Sequence, residues 1–286
     1  MTSIDVTPGV LAESNPDRVA AMTGESPDWV AGMLIDRRGE HHDSNMTAIG
    51  LHRVARSSEV YRVSAERGLE LIEGIAEAIA LESLVAAARN DDAPPHTMIS
   101  ARWGQPNASL DDSENVLGDS VLFQVDGDVT EIEIPVLDAT SEGMGYYGAV
   151  LVDEGALVRF PGPDYPIWKM ELGETYVDGM LLSDQGTGFY LEYHHDRPHW
   201  HQPLTSDSGG YYILARQASA EPDRYQLSAF RIPFGKAVYT GLGTTHCDAA
   251  LTGRNWLVGY SDSGDFSTAL VRNRAGASIR LSGTAG

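Results

Sequence analysis

The sequence predicts a mainly β protein preceded by an α-helical N-terminal segment. Two observations lead to this fold class. Apolar residues recur at near-helical spacing in the first ninety positions, and beyond about residue 117 the chain becomes a series of short alternating runs separated by Gly, Pro and Asp. Many short strands with regular turns are typical of a β-sandwich or barrel. We therefore divide the chain into a helical segment with its connection, residues 1–117, and a β domain, residues 118–286.

The helical prediction rests on capping residues and on one long amphipathic stretch. Asn15 and Ser26 each precede a proline, which places an N-cap before the first helical position. Residues 58–90 then predict the longest helix, which we expect to pack on the β domain or on a partner subunit in a homodimer. Its apolar positions are Leu71, Ile75, Ala78, Ile79 and Leu84. Residues 91–116 are polar and proline-rich, which predicts a surface connection.

The β prediction follows the alternating runs in chain order. Residues 120–137 predict a hairpin that turns around Asp126 and Gly127. The later strands are predicted within 146–160, 188–195, 209–217, 225–234 and 254–261.

Composition excludes several classes of function. The formal net charge of −21 opposes binding to nucleic acid or to anionic lipid, and the sequence has no apolar run of the ~20 residues that a membrane span needs. The single cysteine, Cys247, excludes an internal disulfide framework, and the N-terminus lacks the pattern of a secretory signal. We therefore expect a cytoplasmic protein whose partner is a small-molecule substrate, not a nucleic acid or a membrane.

Histidines are concentrated in one segment, where residues 194–201 contain four of the nine. On a strand, alternate side chains share a face, so His199 and His201 point the same way and two imidazoles can share a metal ion. If this strand is continuous, Glu192 lies on the opposite face. The face of His199 and His201 then also carries Phe189, Leu191, Tyr193, His195 and Arg197. A third ligand must come from elsewhere, and His246, within "GKAVYTGLGTTH", is the candidate.

These two stretches resemble the signature motifs of the cupin superfamily. "PHWH" is similar to the His-x-His of the first motif, and Gly235, Gly241, Gly243 and His246 have the spacing of the second. "SAFRIPFGKAVYTGLGTTHCDAAL" is also faintly similar to the ureidoglycolate lyase branch of cupin-like folds. The resemblance covers about residues 118–275 and implies a double-stranded β-helix (jelly roll) with a metal site at His199, His201 and His246.

The chain departs from the cupin pattern at one ligand. Where the family places a glutamate after the first motif, this chain has "QPLTSDSGG", which contains no Glu. Asp207 is a weak substitute, and His195 can join the site only if its strand is continuous. The alternative to a metal site is a metal-free cupin or a polar rim.

The donor types indicate one divalent transition metal ion, Fe, Zn, Ni or Co, because imidazole suits these metals better than Mg or Ca. Tyr193, Arg197 and Tyr239 are the candidate catalytic residues, Arg197 as a carboxylate-binding group and the tyrosines as proton relays, while Tyr212 and Asp248 lie on adjoining segments. The first hypothesis is a metal-dependent lyase or isomerase that acts on a small polar, carboxylated substrate. The alternatives are a three-histidine Fe(II) dioxygenase and a non-catalytic small-molecule-binding protein.

Overall fold

The computed structural model describes residues 47–75, 77–104, 122–162, 165–172, 189–194, 198–248, 250–259, 266–277 and 279–285. Within these ranges the chain forms twenty strands and two short helices, which confirms the mainly β class. The helices predicted near Asn15 and Ser26 lie outside the described residues.

The elements follow one another along the chain with these bounds. Up to the middle of the chain they are β1 (Thr47–Ala55), β2 (Tyr61–Ser64), β3 (Gly68–Leu71), β4 (Ile79–Ala80), α1 (Leu81–Ala88), β5 (Thr97–Gly104), β6 (Leu122–Val125), β7 (Glu131–Asp138), α2 (Ser141–Gly145), β8 (Ala149–Val152), β9 (Leu157–Arg159) and β10 (Tyr165–Leu172). The remainder are β11 (Tyr190–His194), β12 (His199–Pro203), β13 (Gly209–Gly210), β14 (Tyr212–Gln217), β15 (Arg224–Arg231), β16 (Ala237–Thr240), β17 (Thr245–Cys247), β18 (Leu251–Gly259), β19 (Phe266–Arg272) and β20 (Arg280–Ala285).

Three sheets contain these strands. The first has seven strands in the order β1-β10-β18-β12-β16-β8, with β13 beside β18. The second has nine, in the order β14-β17-β11-β19-β6-β5-β15-β7-β20. Because β15 also pairs with β14, the second sheet is nearly closed and barrel-like. The third is a four-stranded sheet in the order β3-β2-β9-β4.

The seven-stranded sheet is the middle layer of the molecule, and each of its faces is buried in a different core. Val238 and Val258 belong to the core that this sheet shares with the nine-stranded sheet. Tyr239 and Leu257, their neighbours along the same strands, belong to a second core with the four-stranded sheet and α1. Adjacent residues of a strand point to opposite faces, so alternate side chains of β12, β16 and β18 enter different cores.

The predicted helix over residues 58–90 is wrong except for its end, where α1 forms. Tyr61 and Val63 are buried while Arg62 between them is exposed, and this alternation is that of a strand. Gly68 has φ +72° and begins the return strand β3, which pairs with β2. Of the apolar residues that match a helical period, Leu71 and Ile79 therefore lie on short strands and only Leu84 lies in a helix, while the interior glycine has a positive φ at the start of β3.

Replacing Gly68 with alanine is expected to lower the free energy of unfolding by about 2–4 kcal/mol. The positive φ disfavours any Cβ, and a Cβ here would lie 2.2 Å from Cδ1 of Leu257. If residue 68 lay in a helix, the same substitution would raise the free energy of unfolding, since alanine in a helix interior is favoured over glycine by about 1 kcal/mol. Urea denaturation measures the difference. Gly74→Ala is the control, because Gly74 has φ +73° but no atom near a new Cβ, so only the backbone cost of about 1 kcal/mol applies.

Two further predictions on connectivity differ from the structure. The strands predicted on either side of Asp126 and Gly127 exist, but β6 pairs with β5 and β19 while β7 pairs with β15 and β20, so they do not form a hairpin. The predicted connection over 91–116 contains β5, which pairs with β15. Likewise β1 pairs with β10. Both large sheets thus contain strands from either side of the predicted boundary at residue 117.

Neither α1 nor α2 has the length or the run of apolar residues that a membrane-crossing helix needs, and no other helix occurs in the described ranges.

Candidate metal centre

Three potential ligands meet between the two large sheets. Glu192 on β11 and His246 on β17 are directly opposite each other in an antiparallel pair, so their side chains share one face of the nine-stranded sheet. His199 comes from β12 in the seven-stranded sheet. The cluster is buried, with side-chain exposures of 4% for Glu192, 2% for His246 and 0% for His199.

The start of β12 is held by a buried tyrosine. The hydroxyl of Tyr165 donates a hydrogen bond to the Pro198 carbonyl, and the same oxygen lies 2.9 Å from the Gly259 carbonyl. Trp200, two residues after Pro198, packs in the second core. Because Trp200 is fixed on that side, its neighbours His199 and His201 must face the nine-stranded sheet.

The three donor atoms approach one another closely. Nε2 of His246 lies 2.9 Å from Nδ1 of His199 and 3.3 Å from Oε1 of Glu192, and the remaining distance, between Nδ1 of His199 and Oε1, is 3.9 Å. Neighbouring ligands that are each about 2.1 Å from one ion are about 3.0 Å apart in octahedral and about 3.4 Å apart in tetrahedral geometry. The Glu192, His199 and His246 side chains therefore have the spacing and the donor types to hold a metal ion.

Hydrogen bonding fixes which nitrogen His246 presents. Its Nδ1 lies 2.9 Å from the Thr244 carbonyl oxygen, which can only accept, so Nδ1 carries the proton and Nε2 faces the cluster. Burial lowers the pKa of His246, but the Glu192 carboxylate, the Thr244 carbonyl and Asp248 outweigh it, so the pKa lies above its usual value. The surroundings thus favour a positive charge at this point, which a metal ion supplies when it replaces the proton.

A second buried group lies beside the cluster. Nε2 of His201 lies 3.0 Å from Oδ2 of Asp248, and the hydroxyl of Tyr190 donates to Oδ1 of the same carboxylate. His201 and Asp248 are 0% and 1% exposed. Within the described part of the chain, Nδ1 of His201 has no hydrogen-bond partner. Asp248 therefore orients the His201 ring and leaves Nδ1 available inside the protein.

Tyr212 on β14 lies between the two groups. Its ring centroid is 4.8 Å from that of His201 and 5.8 Å from that of His246, and its hydroxyl is 3.0 Å from Oγ1 of Thr240. Burial, together with the negative charges of Asp248 and Glu192, raises the pKa of Tyr212 well above its usual range. Tyr212 therefore contributes a neutral hydroxyl and an aromatic wall.

The structure brings together two of the three predicted ligands and adds a residue that the sequence reasoning placed elsewhere. His199 and His246 belong to the cluster, whereas His201 lies beside it on the Asp248 carboxylate. Glu192 was expected on the opposite face, and this expectation is wrong. β11 and β12 are separate strands in different sheets, so alternation does not carry across the break between residues 194 and 199. A carboxylate inside the apolar run "GFYLEY" was the signal in the sequence.

The other candidates lie as follows. Tyr239 is opposite Trp200 in the β12–β16 pair, so it faces the second core, where its hydroxyl is 3.4 Å from Oε1 of Glu82. The side chain of Tyr193 and the whole of His195 and Arg197 lie outside the described residues, so their roles stay predictions. Asp207, the weak substitute for the missing glutamate, is exposed.

Comparisons with protein-family models, curated proteins and solved structures found no significant match to this chain. The nearly closed sheet and the buried His/His/Glu cluster are compatible with a cupin. That compatibility concerns the architecture and the donor set only.

Proposed function

We propose that the protein is a metal-dependent lyase or isomerase for a small polar, carboxylated substrate, with one divalent transition metal ion on Glu192, His199 and His246. The observation that supports this proposal is the mutual approach of the three buried donor atoms, at 2.9, 3.3 and 3.9 Å. Two imidazoles and one carboxylate suit Fe, Zn, Ni or Co. An ion bound there would polarise a carbonyl or hydroxyl oxygen of the substrate and acidify the adjacent C–H.

The side chains around the cluster support proton-transfer chemistry. His201, oriented by Asp248, is a further base whose ring centroid lies 5.9 Å from that of His199, and its Nδ1 is the atom at which a substrate proton can be accepted. Tyr190 donates to the other oxygen of Asp248, which keeps that carboxylate in place. The neutral Tyr212 hydroxyl can donate a hydrogen bond to a developing oxyanion on the substrate.

The donor set also supports a second candidate, an Fe(II) dioxygenase. Two histidines and one carboxylate with open positions are the ligands of non-haem iron oxygenases. This set differs from the three-histidine site that the motif resemblance implies, because Glu192 takes the place of His201.

The test combines metal analysis with two activity assays. Metal content of the purified protein is measured by plasma mass spectrometry, and the protein is then loaded separately with Zn(II), Ni(II), Co(II) and, anaerobically, Fe(II). Small hydroxy- and oxocarboxylic acids are incubated with each form in D₂O and followed by NMR. Deuterium incorporation at carbon, or elimination, that depends on metal is the expected result.

The alternatives give different results in the same assays. Oxygen uptake with the iron form alone, without deuterium exchange, would favour the dioxygenase. A protein that neither contains nor takes up metal would contradict both enzymatic candidates and leave the non-catalytic binding protein.

A further inference from the structure

A second candidate site is a surface cleft of about 360 Å³ next to the end of α1. This volume is in the range of small-molecule sites. Its walls come from the segment after α1, the residues after α2, β14 and the turn before β17. The lining includes Arg89, Tyr146, Tyr147, Arg216, Gly243 and Thr244. None of these is a residue of the Glu192, His199 and His246 cluster.

The guanidinium of Arg216 is fixed in this cleft. Its Nη1 donates to the carbonyl oxygens of Tyr146, at 2.7 Å, and Asn90, at 3.2 Å. The guanidinium carbon lies 4.4 Å from the centroid of the Tyr146 ring, a cation–π distance. A guanidinium oriented in advance binds an anion with little further loss of conformational entropy.

Arg216 also has one carboxylate partner, and that partner is weakly bound. Oδ1 of Asp91 lies 3.0 Å from Nη2 of Arg216, but the Asp91 side chain is 93% exposed. An ion pair this open to water contributes little to stability. A ligand anion can therefore bind Arg216 alongside Asp91 or displace the Asp91 carboxylate from it.

Arg89 brings a second positive charge to the same cleft. It is exposed, and among the residues that the structure describes its side chain forms no ion pair or hydrogen bond. The whole chain carries a formal net charge of −21, so two arginines in one cleft form a local exception to an acidic protein. Two guanidinium groups in one cleft are donors that recognise a phosphate or a pair of carboxylates.

We propose that this cleft binds a small dianion, a phosphate or a dicarboxylate, through Arg89 and Arg216. The site is separate from the metal centre, although Thr244 borders both: it lines the cleft, and its carbonyl accepts the Nδ1–H bond of His246. A phosphate and a dicarboxylate have the same recognition chemistry, because each presents two negative charges on oxygen atoms that accept hydrogen bonds from guanidinium groups.

Isothermal titration calorimetry of the full chain with inorganic phosphate, and separately with malonate, tests the proposal. We expect at least one of them to bind with a dissociation constant near or below about 1 mM. Arg89→Gln is expected to weaken that binding about tenfold, because a charge-assisted contact is lost from an exposed position that leaves the fold intact. Asp91→Asn is expected to tighten it several-fold, because a competing negative charge disappears while the amide oxygen can still accept from Arg216.

Arg231→Gln is the matched control, since Arg231 is an exposed arginine that pairs with Asp138 and does not line the cleft. Binding in this variant is expected to equal that of the wild type. An anion held by the metal centre would be insensitive to Arg89, so binding that R89Q leaves unchanged would overturn the proposal without bearing on the metal site. Absence of binding by both anions at about 10 mM would also overturn it.

Discussion

Replacing Glu192 with glutamine is expected to lower the affinity for the metal ion by at least about 100-fold. Mutation of a residue that only hydrogen-bonds to a metal-binding side chain typically lowers metal affinity by about 10–100-fold. Glu192 is placed to bind the ion directly, so a larger loss is expected. Glutamine keeps the size of the side chain but removes its charge, and a neutral amide oxygen is a poorer ligand for these metals. Competition against a chromogenic chelator measures the affinity, and plasma mass spectrometry measures the metal retained after dialysis.

Two companion variants distinguish the structural site from the one that the motifs imply. Asp207→Asn changes an exposed carboxylate and is expected to leave metal affinity unchanged. His201→Gln is expected to weaken binding less than Glu192→Gln, because His201 is held by Asp248 and not by the cluster. If H201Q loses the metal and E192Q retains it, the three-histidine site is correct and the Glu192 cluster is not. Circular dichroism spectra that match the wild type show that each variant is folded.

Replacing Asp248 with alanine is expected to lower the free energy of unfolding by about 3–5 kcal/mol. The change removes a buried carboxylate that accepts from both Tyr190 and His201, so two donors are left inside the protein without a partner. Each unsatisfied buried donor costs about 1–3 kcal/mol. The shift in the midpoint of urea denaturation, with the slope unchanged, measures the effect.

The controls for this prediction remove one bond at a time. Tyr190→Phe deletes a single donor together with its need for a partner, so a smaller loss of about 1 kcal/mol is expected. Asp248→Asn keeps one acceptor oxygen and is expected to fall between the two. A loss of less than about 1 kcal/mol for D248A would contradict the buried His201–Asp248–Tyr190 arrangement, because neither donor would then be left without a partner.

Sequence patterns located the β strands more successfully than their partners. The alternation in residues 131–138 predicts β7, and its burial pattern follows that alternation. Pairing could not be inferred, because β7 pairs with β15 and β20, which lie about ninety or more residues further along the chain. The helix prediction for residues 58–90 failed for another reason. The apolar residues of this stretch fit a helical period and also short strands, and the positive φ that Gly68 adopts at the start of β3 is incompatible with a helix.

The candidate site was accessible from the sequence only in part. His199 and His246 were found because glycine and histidine spacing is a local property. Glu192 depended on a three-dimensional fact, that the chain leaves one sheet after β11 and enters another at β12. Alternation holds within a strand and gives no information across such a break. Asp248 lies two residues after His246 in the sequence, but its contact with His201 depends on how the two large sheets face each other.

The division of the three candidate ligands between two sheets would make a metal centre a late product of folding. His199 belongs to the middle sheet, whereas Glu192 and His246, fifty-four positions apart in the chain, belong to the nearly closed one. Neither sheet alone contains all three residues, so the cluster forms only after the two layers have docked, and contacts this distant in the chain form slowly. An ion bound by Glu192, His199 and His246 would cross-link the two layers, and separating the layers would break that coordination. We therefore expect the free energy of unfolding to rise with the free metal concentration by RT ln(1 + c/Kd), where c is that concentration and Kd is the dissociation constant of the metal.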